Sequence, residues 1–200
     1  MAARSRPTRL HRGVLSLTLA LLAVLGFGVG EWRVRNTDTR MRERLLQQAT
    51  EIAEAVDIEA VRSLTFTPAD RGAPAYERLR QQFIAYGRII PQRGIYSLAL
   101  RDGRLVFGPE NYAEDDPMAS PPGTVYLDPG PEDFALFEIG QPYTIGPAED
   151  EYGIFVSALV PVRDPKSGQV LLAVGLDITA DVWQARLNAT RRAPWLMAMV

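Results

Sequence analysis

The chain has 200 residues, with 22 basic and 24 acidic side chains, one histidine and no cysteine. The lack of cysteine excludes disulfides and thiolate metal sites, and the lone His11, set in an arginine-rich tail, excludes Ser-His-Asp and Cys-His catalysis and a histidine-rich metal site from the body of the chain. Arg4, Arg6, Arg9 and Arg12 precede the first acidic residue, Glu31, so residues 31–192 carry a net charge of −6, and such an acidic body is unsuited to nucleic acid, which requires a basic face.

Residues 1–12 read as a basic tail. Residues 13–30, GVLSLTLALLAVLGFGVG, contain no charged side chain. At a rise of about 1.5 Å per residue they span about 27 Å, enough to cross the hydrocarbon core of a bilayer. A cleaved signal peptide is the alternative, but the apolar run is long for one, and GFGVGEW offers no A-x-A cleavage site. The four arginines place the N-terminus in the cytoplasm and residues 31–192 outside, although Arg33, Arg35, Arg191 and Arg192 weaken that asymmetry.

From residue 31 to about residue 64 the pattern is helical. Met41, Leu45, Ala49, Ile52 and Val56 recur at three- and four-residue steps, and charges fill the other face. That stripe predicts either core packing or a homodimer seam. Pro68, Gly72 and Pro74 break the pattern, and a second helix follows near residues 75–88, with Tyr76, Leu79, Phe83 and Tyr86 on one face. The period then changes: residues 95–100, the turn Arg101-Asp102-Gly103-Arg104 and residues 105–108 predict a β-hairpin. Residues 109–131 form a long acidic, Pro- and Gly-rich segment, of a length that caps a binding site or else is a plain surface loop.

A short helix is predicted over residues 131–138 and strands over 141–146, 152–162 and 169–177. A helix from Thr179, a plausible N-cap, runs toward residues 193–200, APWLMAMV. These last residues read as the first turns of a second membrane helix, with Trp195 in the interfacial belt, or as an apolar tail packed on the domain. The expected class is α+β: a long N-terminal helix and a second helix packed on a central antiparallel sheet, flanked by transmembrane helices.

Residues 152–179, YGIFVSALVPVRDPKSGQVLLAVGLDIT, resemble the last two sheet strands of the PAS-like, single-Cache sensor domains. Residues 95–126, IYSLALRDGRLVFGPENYAEDDPMASPPGTVY, resemble the periplasmic regions of bacterial sensor histidine kinases and some diguanylate cyclases. The resemblance covers roughly residues 31–192. It implies a periplasmic sensor for a small molecule, held in the inner membrane and acting as a homodimer. The output implied is a histidine kinase transmitter beyond residue 200, with a diguanylate cyclase or chemoreceptor as the alternative. The Gly-x-Asp ending the final strand implies that Asp177 faces a ligand amine or hydroxyl, unless it favours the N-terminus of the following helix. By position, Tyr96, Arg101, Tyr126, Tyr143 and Tyr152 are candidate pocket residues.

No catalytic residue, metal ligand or cofactor site is expected. The clusters Glu114-Asp115-Asp116 and Glu149-Asp150-Glu151 lack a cation-loop spacing and read as solvated loops. An anchored envelope hydrolase is the competing class, and it requires a deep polar pocket built from both clusters.

Overall fold

The computed structural model describes residues 9–197. Residues 1–8 and 198–200, and the side chain of Trp195, lie outside that description, and with them parts of the expected basic tail and second apolar segment. Helix α1 (Arg9–Glu54) is followed by α2 (Ile58–Arg62), a 3-10 turn (Pro68–Asp70) and α3 (Pro74–Gly87). Strands β1 (Gly94–Arg101) and β2 (Arg104–Glu110) come next, then α4 (Pro131–Ile139), β3 (Tyr143–Asp150), β4 (Gly153–Arg163), β5 (Val170–Thr179) and α5 (Ala180–Met197).

The chain divides into two compact units. One holds the first part of α1, to Thr39, and the latter part of α5, from Ala185. In it Val14, Leu17, Leu21, Leu25 and Phe27 are exposed along a helix long and apolar enough to cross a membrane. Within the same unit Arg191 Nη2 lies 3.1 Å from Glu31 Oε1, an exposed ion pair of the kind that contributes about 0–1 kcal/mol.

The second unit, Arg40–Gln184, holds the sheet and the helices packed on it. Its five strands form one antiparallel sheet in the order β2-β1-β5-β4-β3. The last strand in sequence is therefore central and joins the two hairpins. Side chains alternate across a strand, so β5 divides into two sets. Leu172, Val174, Leu176 and Ile178 face one side, with Ile95, Ala99, Val156, Ala158 and Val160 beside them in register, all buried. Helices α2 and α3 approach β5, β1 and β2, and the end of α1 borders β4 through Ala53, Val56, Val160 and Val162. Leu45, Ala49 and Ile52 of α1 and Val56 just beyond it are buried, and Met41 is half-buried. The stripe expected as either core or homodimer seam is therefore core.

The predicted long helix is also shorter than its pattern. It ends at Glu54, and Asp57 starts α2 by accepting hydrogen bonds from the backbone N–H groups of Glu59 and Ala60, at 3.0 and 3.3 Å. A local side-chain acceptor here outcompetes continuation of the apolar period.

Residues 111–130 are a pinned cover, not a free loop. Val125 bridges Val106 of β2; Phe107 N–H donates to Thr124 O and Gly123 N–H to Phe107 O, both at 2.8 Å; and Tyr126 N–H donates to Leu105 O at 2.9 Å. Gly123 has φ +83°, and a Cβ there would meet Thr67 Cα at 2.7 Å, so this segment rests on residues 66–67. That support is itself held by the buried Asp70, which accepts from Thr65 N–H, Thr65 Oγ1–H and Phe66 N–H at 3.0, 2.8 and 2.7 Å while Phe66 adopts φ +55°.

Replacing Asp70 with alanine strands two backbone donors and releases a left-handed phenylalanine. The full chain in detergent should lose about 2–4 kcal/mol of unfolding free energy by denaturant titration. A loss below experimental error would show that the 65–70 turn does not support the cover.

Candidate functional site

The other face of the sheet carries the site. Odd-numbered residues of β5 point here: Ala173, Gly175 and Asp177. Asp177 pairs in register with Gly94 of β1 and Ser157 of β4, and Gly175 pairs with Tyr96. A Cβ on Gly175 would lie 2.3 Å from the Tyr96 ring, and one on Gly94 would lie 1.8 Å from the Tyr112 hydroxyl. Two glycines on adjacent strands thus admit two tyrosine rings to the sheet surface.

The rings form a box. Phe107 packs against Tyr96, Tyr126 and Tyr152 with ring centroids 5.9, 5.7 and 5.6 Å apart, the latter two edge-on. Helix α4 closes one end through Leu136. It starts at Pro131 after Gly130, whose N–H donates to Asp133 at 2.7 Å, and ends at the left-handed Gly140. A cavity remains between the box and the cover, lined by Tyr96, Phe107, Glu110, Tyr112, Met118, Tyr126, Asp150, Tyr152 and Asp177. Its free volume is about 20 Å³. One water requires roughly 10–15 Å³, so the closed cavity admits nothing larger than one or two waters.

Three carboxyl groups reach this cavity. Asp177 is 5% exposed, and Tyr96 Oη donates to its Oδ1 at 3.3 Å. Burial pushes its pKa up to about 7, against the opposing hydrogen bonds of Ser157 and Tyr96. Glu110 is 4% exposed. Its Oε1 accepts from Ser120 N–H at 2.7 Å, while its Oε2 has no hydrogen-bond partner in the protein. Burial raises its pKa to about 7 as well. Asp150 is raised by burial despite accepting from the N–H groups of Tyr152 and Gly153. The phenols of Tyr96, Tyr112 and Tyr126 are all raised by burial and remain neutral donors.

Of the residues expected at a pocket, Tyr96, Tyr126, Tyr152 and Asp177 line one cavity. Tyr143 packs against the aromatic cluster but hydrogen-bonds Asp133, outside the cavity lining. Arg101 lies elsewhere. It is five residues from Tyr96 along β1, an odd step that puts it on the opposite face, with its guanidinium 4.4 Å above the Phe66 ring. At the start of α5, Asp181 accepts from Val182 N–H at 2.8 Å, while Asp177, three residues before the helix, accepts from the Tyr96 phenol.

Phe107, Glu110, Tyr112, Met118 and Asp150 line the cavity without having been expected there. Glu110 follows Pro109, and the predicted strand stops at Gly108. Strand β2 instead continues past a bulge, because it lies at a sheet edge that tolerates proline. The two acidic clusters do not converge as a hydrolase would require. Asp116 pairs with Arg93 at 3.0 Å, while Asp150 sits in the aromatic cavity.

No protein-family model matches this sequence, and no curated protein matches it. Solved structures do. The ligand-binding domain of the Campylobacter jejuni chemoreceptor Tlp3 in complex with L-valine superposes with TM-score 0.57 at 10% identity, covering 91% of this chain and 68% of that one. The sensory domain of the same receptor with isoleucine bound gives 0.55, 10%, 91% and 68%, and a further structure of that sensory domain gives 0.53, 12%, 86% and 65%. At such identities the likeness is one of fold: an α+β domain with a long helix and further helices packed on a five-stranded antiparallel sheet.

Two predictions follow from this geometry. Between pH about 4 and 7 the folded protein holds protons on Asp177 and Glu110 that the unfolded chain releases, so unliganded stability falls as pH rises through that window. Asp177→Asn should remove part of the decline, about 2–4 kcal/mol by denaturant titration at pH 8; a flat or rising profile in the parent protein would contradict the assignment. Separately, Gly175→Ala should expel the Tyr96 ring, seen as loss of that tyrosine's upfield-shifted aromatic resonances; an unchanged spectrum would mean the ring does not depend on that gap.

Proposed function

We propose that this chain is the ligand-binding input region of a transmembrane receptor of the chemoreceptor kind, and that it senses a small molecule whose ammonium group sits on Asp177. One observation carries the reading: a carboxyl group enclosed on the central strand of a sensor fold, inside a box of tyrosines, with no cationic partner among the described residues lining the cavity. An ammonium supplies the missing counter-charge and interacts favourably with the aromatic faces. The two Tlp3 complexes support the reading, since L-valine and isoleucine each carry an ammonium group. They favour a chemoreceptor output over the sensor histidine kinase or diguanylate cyclase expected from sequence.

In this proposal residues 13–30 cross the inner membrane, the N-terminal tail is cytoplasmic and residues 31–192 are periplasmic. A homodimer remains part of it, with an interface that leaves out the buried Leu45, Ala49, Ile52 and Val56. Because the closed cavity is too small for such a ligand, binding requires the cover to move and the tyrosines to part. Ligand then shifts the population toward an open-and-filled arrangement by its differential affinity for it. Helix α5 begins three residues after Asp177, so the change at the carboxylate has a short covalent path to the exit helix.

The full chain in nanodiscs should bind members of a panel of small primary amines and amino acids by calorimetry. Asp177→Asn should weaken that binding by about 100-fold, the value of one enclosed charge-assisted contact. Retention of full affinity in the variant would remove Asp177 from the site.

A further inference from the structure

The cavity holds three carboxyl groups and, among the described residues, no basic one; Asp150 already accepts from the N–H groups of Tyr152 and Gly153, which leaves Asp177 and Glu110. Asp177 and Glu110 stand on the strands flanking β1: Asp177 is paired with Gly94, and Glu110 with Tyr96. Two strand spacings laterally and two residues along the strand put their Cα atoms about 12 Å apart, with both side chains reaching inward to shorten that gap. The aromatic faces of Tyr96 and Phe107 and the side chain of Met118 line the same space. Such a shape, apolar along its length and anionic at both ends, is that of an alkyl chain bearing two ammonium groups.

The carboxylate of an amino acid has no comparable seat. Among the described residues, no arginine or lysine lines the cavity. Two guanidinium groups stand beside this space, and Arg80, whose positive charge acts on Glu110, borders the adjoining cleft that shares Glu110 and Tyr112. Arg93 is bidentate with Asp116, at 3.0 and 3.3 Å, and stacks over Tyr112. Arg80 donates to Tyr112 O at 2.7 Å. An α-carboxylate brought into the box would face Asp177, Glu110 and Asp150 with only neutral phenols to bind it. The second, independent observation is Glu110 itself: nine-tenths buried, with Oε1 satisfied by Ser120 and Oε2 left without a protein donor. A buried carboxylate oxygen with no donor is costly, and a ligand N–H is the group that resolves it.

We propose that the cavity selects linear aliphatic diamines, with one ammonium bound by Asp177 and the second by the unpartnered oxygen of Glu110. This inference rests on the ammonium-sensing reading above and names the ligand class within it. It also assigns Glu110 a recognition role that Asp177 does not share. Loss of the second contact should penalise a diamine and leave a monoamine nearly untouched.

The test uses the full chain in nanodiscs and calorimetry with 1,4-diaminobutane, 1,6-diaminohexane, n-butylamine, L-isoleucine and butyrate. At least one diamine should bind about tenfold or more tightly than n-butylamine, L-isoleucine should be weaker still, and butyrate should not bind. Glu110→Gln should bring the diamine down to within about threefold of n-butylamine while leaving n-butylamine itself within about twofold of its parent value. Because Gln at a buried site risks misfolding, the parent protein supplies a second arm: the preference for diamine over monoamine should widen as pH rises through about 7, where Glu110 ionises. Tighter binding of L-isoleucine than of either diamine, or an unchanged diamine-to-monoamine ratio in both arms, overturns the diamine inference and leaves the ammonium reading standing. Failure of every amine and of L-isoleucine to bind overturns both.

Discussion

The arrangement of this domain turns on a carboxyl group placed where it has little water. Asp177 lies on the central strand, flanked in register by Gly94 and Ser157, and its side-chain donors are the hydroxyls of Ser157 and Tyr96. Burying a carboxylate without a cation is unfavourable, and the group responds by holding its proton to a higher pH. A fold does not keep such a group for stability: a buried apolar side chain in its place would be neutral or better. Everything around it is nonetheless arranged to keep it enclosed. Glycines 94 and 175 give up side chains so that Tyr112 and Tyr96 can lie over it, and the 111–130 cover is hydrogen-bonded along the outer edge of β2.

That arrangement links local chemistry to architecture. The opposite face of the sheet is aliphatic and closed by helices, and provides the rigid platform. The site face is aromatic and polar, closed by a segment without regular structure that is held by a handful of backbone bonds and by Asp70 beneath it. Stability and recognition are thereby separated across the thickness of one sheet. The strand that carries Asp177 passes directly into α5, so the group proposed to meet the ligand and the helix that follows the sheet are contiguous in sequence.

Much of the fold was legible because its signals are local. Two apolar periods, a turn at Asp102-Gly103 and near-continuous β-formers in β4 and β5 fixed the elements and the class. The Gly-x-Asp at the end of β5 pointed to Asp177, and four of the six residues expected at a pocket do share one cavity. What escaped was set by non-local or competing effects. Asp57 recaps the chain and ends α1 early, which apolar spacing does not reveal. Arg101 was a candidate by position alone, yet an odd number of residues separates it from Tyr96, and strand alternation sends it to the other face. Glu110 was hidden behind Pro109, since only the strand order shows that β2 is an edge where proline is tolerated. Asp150 looked like part of a solvated acidic turn, and only the tertiary fold, which holds Tyr126 on β2, brings the two together, the carboxylate accepting from that phenol at 3.5 Å.

The central claim is that Asp177 is the ligand's counter-ion. Carbon-13 NMR of the aspartate carboxyl groups near pH 6, with Asp177 assigned by comparison with Asp177→Asn, reads this directly. Without ligand its carboxyl carbon should resonate at the protonated position, as its raised pKa requires. Saturating 1,4-diaminobutane should move that resonance to the ionised position, because an ammonium at contact distance favours the carboxylate. A carboxyl signal that stays protonated in the ligand-saturated protein would contradict the account and place the ligand elsewhere.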